Sequence, residues 1–224
     1  MNLAPLFLSL RLAAIVSFLL VSLSLPLAAW LAFGRWRARF LLEAVFALPL
    51  VLPPTVLGFY LLLALGPRSP LGALWQSLFG HGLAFSFEGL VLASLLYSLP
   101  FAVQPLVSAF RGVDPRLLSA SFVLGASPLR TFRRVVLPLS YSGLVTALVL
   151  TFAHTLGEFG VVLMVGGNLP GVTQTVSVAI YDSVQAFDYG EANRLALTLL
   201  AISFAALSVI YAVNRRVWSP WSSR

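Results

Sequence analysis

Five runs without a single Asp, Glu or Arg, over residues 12–33, 44–66, 89–110, 135–157 and 195–213, decide what this chain can become. Each has the roughly 20 mostly apolar residues that a helix needs to cross ~30 Å of hydrocarbon. With 59% of the 224 residues hydrophobic and 9% charged, too little polar surface is left to wrap a water-soluble globule. The expected fold class is an all-α polytopic membrane protein with about five transmembrane helices. The composition also removes whole classes of chemistry. The 14 basic residues are all arginine, so there is no P-loop lysine for nucleotide phosphates and no Schiff-base lysine. Cysteine is absent too, which excludes disulfides, thiolate nucleophiles and cysteine metal sites.

The arginines set a direction. Arg35, Arg37 and Arg39 follow the first run, and Pro26-Leu27-Ala28-Ala29 lacks small residues at both positions that a signal peptidase requires. The first run therefore reads as an uncleaved helix with its N-terminus outside. Five spans threaded from there leave Arg11, Arg68 and Arg194 outside and the other 11 of 14 arginines inside, as the positive-inside rule demands. On this reading the net charge of +7 reports topology and not a nucleic-acid surface. The C-terminus falls in the cytoplasm, and residues 8–214 read as one domain without internal repeat.

Polar and proline residues interrupt the spans at particular depths. Pro49, Pro53 and Pro54 break the second run, and a broken helix survives in hydrocarbon only against protein or around a cavity. Residues 67–88, with Trp75 and His81, read as an external loop at the interface, and His81 has no ligand partner nearby. Gln104, between Pro100 and Pro105, is polar within the third run and is expected to face other helices. His154 and Glu158 at the end of the fourth run are four residues apart and would share a helix face. Residues 172–187 alternate apolar and polar faces but are too short to span, so an interfacial or re-entrant helix is expected.

The one long basic segment, residues 111–138, reads as two short helices. Asp114 is a good N-cap, and Pro115 suits the first helical position, where a missing N–H is harmless. Gly125 can take the left-handed conformation that closes a helix, Ser127 and Pro128 repeat the cap-and-start pair, and Pro138 marks the next boundary. The product is a helix, a corner and a second helix carrying Arg130, Arg133 and Arg134. Such an elbow is either a docking surface for a soluble partner or an ordinary cytosolic loop.

Ser119-Ala120-Ser121, three residues, Gly125, nine residues and Val135-Val136-Leu137-Pro138 resemble the EAA motif of binding-protein-dependent ABC importer permeases, E-A-A-x3-G-x9-I-x-L-P. The family's usual glutamate is replaced by Ser119, which removes a carboxylate that could pair with arginine. A second block, residues 155–168 (TLGEFGVVLMVGGN) followed by 169–175 (LPGVTQT) and Ala179-Ile180-Tyr181, is similar to the matching stretch of molybdate permeases. Sulfate and tungstate permeases carry a related pattern.

That resemblance implies a type I ABC importer transmembrane domain with cytosolic coupling helices in a bacterial or archaeal cytoplasmic membrane. It implies a homodimer of this chain, two ABC ATPase subunits on the elbows, and a periplasmic or extracellular binding protein that delivers an oxyanion, molybdate before tungstate or sulfate. No cofactor or metal is expected on this chain, and Mg-ATP belongs to the partner subunit. The coupling residues implied are Ser119, Ala120, Ser121, Gly125, Ala126, Ser127, Arg130, Leu137 and Pro138. A gate is expected around Thr151, Thr155, Gly157, Glu158, Phe159 and Gly160, whose small side chains and hydroxyls would let two copies approach, with Glu158 orienting the loop or pairing with Arg194. The rival from another class is a proton-coupled transporter using His154 and Glu158 as a relay; a purely structural membrane subunit is a third reading.

Overall fold

Backbone groups in hydrocarbon must bond within their own segment, and helices are the economical solution for a chain of this size. Residues 3–34 and 38–215, which the computed structural model describes, are helices and connecting turns with no strand among them. Arg35, Arg37, Arg216 and Arg224 of the topology argument lie outside the described residues.

In chain order, helix α1 (Ala4–Phe33) runs unbroken for 30 residues in spite of Pro26. It begins eight residues ahead of the first apolar run, because Pro5 sits in its first turn and Arg11 stays helical with its guanidinium 4.3 Å over the Phe87 ring. Helices α2 (Arg39–Val51) and α3 (Pro54–Leu65) meet at 109°. Leu52 and Pro53 are extended there, and neither Pro53 nor Pro54 has an N–H to continue the ladder. Helix α4 (Pro70–Phe79), capped by Ser69 Oγ accepting from Gly72 N at 2.8 Å, gives the expected external loop a helical core holding Trp75.

Helices α5 (Phe87–Tyr97) and α6 (Leu99–Arg111) bend by 42° at Ser98, just ahead of Pro100. Helices α7 (Pro115–Val123) and α8 (Pro128–Thr131) form the elbow. A π-helical stretch, Phe132–Val136, and α9 (Leu137–Leu139) then lead to α10 (Tyr141–Gly157) across a 73° bend. Widening the helix ahead of Pro138 absorbs the bond this proline cannot make. Helices α11 (Gly160–Gly166) and α12 (Val176–Gln185) follow, then α13 (Tyr189–Arg215). By length and composition, α1 and α13 can each cross a membrane, and counting each of the three bent pairs as one span gives up to five crossings.

Helix α1 is the pillar. Leu20, Val21, Ala28 and Leu31 pack on Ala102, Val103, Leu106 and Phe110 of α6, with Ala147 of α10 and Val136 closing the cluster. Toward the N-terminus, Leu8, Leu12 and Val16 meet Leu90, Val162 and Val178. Ser9 Oγ of α1 accepts from Val176 N at 2.8 Å, so a pillar residue caps α12 across space. The expected 16-residue interfacial helix is thus trimmed to ten residues and tied into the bundle.

Small residues allow the broken span to close on its neighbour. A Cβ on Gly58 of α3 would come 2.8 Å from Met164 Cβ, and one on Gly160 of α11 would come 2.8 Å from Pro54 Cβ. Close approach of this kind is a main source of helix affinity in lipid. Gly160→Leu is expected to force α11 off α3 and cost about 1–3 kcal/mol by overpacking, read as a lower thermal midpoint of the detergent-solubilised protein.

Candidate functional site

Two polar constructions stand out, one at each end of α10. At the first, Asp114 Oδ1 accepts from Arg116 N at 2.8 Å and starts α7. The helix ends where Ala126 N donates to Ser121 O at 3.1 Å around Gly125, whose φ of +76° is left-handed and strained for any side chain. Nothing lies within 4 Å of where its Cβ would be, so conformation and not space demands glycine. Ser127 Oγ accepts from Arg130 N at 3.4 Å to start α8, and the Ser121 and Thr131 hydroxyls, 2.9 Å apart, tie the two arms. Phe132 meets Phe110 edge-on at 5.4 Å and Val136 is buried, which anchors the elbow on the bundle core.

Ser119 donates to Pro115 O at 3.0 Å within its own helix, so its hydroxyl is spent locally. Ala120 is exposed, Ala126 and Leu137 are half-buried, and Pro138 is exposed where the chain turns back. Between the arms stands an apolar knuckle that the sequence reading passed over: Val123 and Leu124 are each 87% exposed, with Phe122 and Leu129 beside them. Arg130, Arg133 and Arg134 line a shallow basic cleft with Ser127 and Leu129. Its signal was the run Phe122-Val123-Leu124 immediately before Gly125, apolar residues in a segment otherwise fit for water. Bare aliphatic side chains beside arginines are what a docking surface presents.

The other end is an interior site. Seventeen residues of α10 rise roughly 25 Å, which carries Glu158 to the far side of the bundle. Glu158 is 3% exposed. Ser94 Oγ donates to its Oε2 at 2.5 Å and Ser98 Oγ to its Oε1 at 2.7 Å. Ser98 also lies 2.9 Å from both Thr155 Oγ1 and His154 Nδ1. A hydroxyl has one proton and two lone pairs; with the proton on Glu158, Thr155 and the Nδ1–H of His154 donate to Ser98. His154 Nδ1 is 3.4 Å from Glu158 Oε1, and its ring stacks on Phe101 at 3.9 Å and leans on Tyr97 at 4.8 Å.

The side chains that hold Glu158 are serines of α5 and of its junction with α6. The expected Arg194 partner is elsewhere: it lies 4.0 Å from Glu191 on its own exposed helix face. Ser94 and Ser98 were missed because isolated serines in an apolar run are common; their four-residue spacing opposite an intramembrane carboxylate was the available signal. Ala147, Thr151 and Thr155 form the buried stripe of α10, which packs against α1 and α6. Both threonine side chains of the expected gate are buried within the protomer. Gly157 is exposed, Gly160 abuts Pro54, and Phe159 leans on Tyr181 at 5.1 Å.

Beyond α11, Asp182 Oδ2 accepts from Asn168 Nδ2 at 2.8 Å and Gln174 Nε2 at 3.0 Å, tying down the Gly167–Asn168 corner. His81 is exposed, and no group of three potential metal ligands occurs among the described residues.

A bundle of broken spans that presents a solvent-facing helical elbow is the architecture of a transmembrane subunit of a type I ABC importer. The chain superposes on the solved structure of a bacterial alginate ABC transporter in complex with its pentasaccharide-bound periplasmic protein, with TM-score 0.74 at 14% identity, over 97% of this chain and 79% of that one. Residues 24–220 match the binding-protein-dependent transport system inner membrane component family, and the chain belongs to that family. It is 50% identical to the molybdenum transport system permease protein of Azotobacter vinelandii over 96% of this chain and 95% of that one. The corresponding protein of Escherichia coli K12 is 39% identical over 87% of this chain and 86% of that one. The chain is thus a membrane-embedded permease subunit and not itself an enzyme.

Ser98→Ala removes one bond to Glu158 and two acceptor positions, whereas Ser94→Ala removes one bond. Leaving buried polar groups unpartnered costs about 1–3 kcal/mol each, so Ser98→Ala is expected to lower the thermal midpoint of the purified protein more than Ser94→Ala does.

Proposed function

We propose that this chain forms, as a homodimer, the membrane path of an importer that moves molybdate into the cytoplasm, driven by ATP hydrolysed on two separate ATPase subunits. The observation that carries this reading is the elbow: a left-handed glycine corner with an exposed apolar knuckle and three arginines, joined rigidly to the spans through Phe132 and Val136. Half-identity to a molybdenum permease along almost the whole chain supports molybdate as the ion. The complete absence of lysine supports hydrolysis on another chain, where Mg-ATP binds.

The proposed orientation has the N-terminus outside and the elbow and C-terminus in the cytoplasm, with an external binding protein delivering the anion on the Glu158 side. ATP-dependent contacts draw the two elbows together, and the span bundle is the bistable element they bias. Ser119, bonded within its own helix, makes no ion pair in this scheme; apolar contact at Val123 and Leu124 and the arginines carry the docking. Glu158, held by two serine hydroxyls, serves to fix the α10–α11 corner against α5 and not to touch the anion, since like charges repel.

The test is ATP-dependent uptake in proteoliposomes containing this chain, its ATPase and its binding protein, comparing labelled molybdate, tungstate and sulfate. Molybdate uptake that is abolished by Gly125→Arg while the ATPase still co-purifies is the expected result. Uptake that persists without the ATPase and follows a proton gradient would overturn the proposal.

A further inference from the structure

Helix α6 carries a polar face that neither the elbow nor the Glu158 site uses. Ala102, Val103, Leu106, Val107 and Phe110 bury one side of this helix. Gln104, Ser108 and Arg111, at i, i+4 and i+7, lie on the other, and all three are exposed. Neither Gln104 nor Ser108 has a side-chain hydrogen-bond partner among the described residues. They line a cleft of ~540 Å3 between α6 and α2, walled by Leu31, Ala44, Phe46 and Ala47. Arg111 stands at its mouth, with Nη2 on Glu43 Oε1 at 2.5 Å and on Leu31 O at 3.3 Å. Gln104 lies roughly 10 Å along the helix from Arg111, within the inner half of the span.

An amide and a hydroxyl left unpartnered at that depth cannot rest on lipid without loss, so the face they share needs water or a polar guest. We infer that the α2–α6 cleft is the inner part of the anion path, where Gln104 and Ser108 donate hydrogen bonds to a tetrahedral oxyanion on its way to the cytoplasm. This rests on the importer reading above. The donors at depth are neutral, which suits transit: an anion must be stabilised enough to enter and weakly enough to leave. The single cation is at the exit, and Glu43 sets its strength. While Glu43 engages Arg111, the guanidinium draws anions toward the mouth without holding them; with Glu43 removed, its positive charge would act without an offsetting carboxylate and retain them.

Because the chain contains no cysteine, single cysteines report on this face without background. Gln104→Cys and Ser108→Cys, each in the assembled complex in proteoliposomes, are treated from the elbow side with a negatively charged, membrane-impermeant thiosulfonate, and label on this chain is measured. Leu200→Cys, on a 65% exposed apolar position of α13, is the lipid-facing control. Both α6 cysteines are expected to react about tenfold or more faster than the control, since only they face water. Molybdate should slow that reaction. Adding Glu43→Gln to Ser108→Cys should bring protection at about tenfold lower molybdate, as no carboxylate then offsets the Arg111 charge.

If both α6 cysteines react no faster than Leu200→Cys, the face lies against lipid or a second copy and the inference is overturned. Labelling that molybdate, tungstate and sulfate all leave unchanged overturns it as well, leaving a water-filled crevice. Protection by sulfate in place of molybdate upholds the path and refutes only the choice of ion.

Discussion

Hydrocarbon offers nothing for a backbone N–H to bond to, so every break in a transmembrane helix has to be covered by protein or open onto water. This chain places prolines in four of its five crossings, and each break is answered by a specific neighbour. The 109° turn at Leu52–Pro53 is covered by α11, which fits because Gly58 and Gly160 carry no side chains. The bend at Ser98 is filled by Glu158, His154 and Thr155. The bend at Ser140 sits beneath the elbow, where Ser140 Oγ donates to Ala109 O at 3.3 Å. Breaks that would weaken an isolated helix become the joints of the bundle.

The joint at Ser98 shows why a carboxylate is worth keeping there. Two hydroxyl donors compensate part of the desolvation of Glu158, and the aromatic rings of Tyr97 and Phe101 shield the imidazole beside it. The geometry is demanding: three residues of the α10 end and two of the α5–α6 bend must keep their positions together. That makes the far end of α10 a fixed corner, while its near end is attached to the elbow through the π-helical stretch.

Much of this was legible in the chain. Five uncharged runs foretold the five crossings; the Asp114–Pro115, Gly125 and Ser127–Pro128 punctuation foretold both elbow helices and the left-handed corner. These succeeded because caps, prolines and glycine act within a few residues of themselves. The helical core of the external loop and the trimmed α12 were less visible, since Ser69 caps its own helix but Val176 N is capped by Ser9, distant by most of the chain. The burial of Thr151 and Thr155 alongside Ala147 was equally hard to read, since a hydroxyl in an apolar run does not tell which way its helix is turned.

The sequence by itself determined the class of solvent, the number of crossings, the break at Pro53–Pro54 and the shape of the elbow, because hydropathy, proline and capping are local properties. Only the tertiary structure decided who meets whom: that Glu158 is held by Ser94 and Ser98 and not by Arg194, that Arg111 finds Glu43, and that Gln104 and Ser108 are left facing a cleft. Those pairings join residues about 60 or more positions apart, and their identity depends on helix rotation. A turn of one residue moves a side chain by about 100°, and packing against the whole bundle sets that angle.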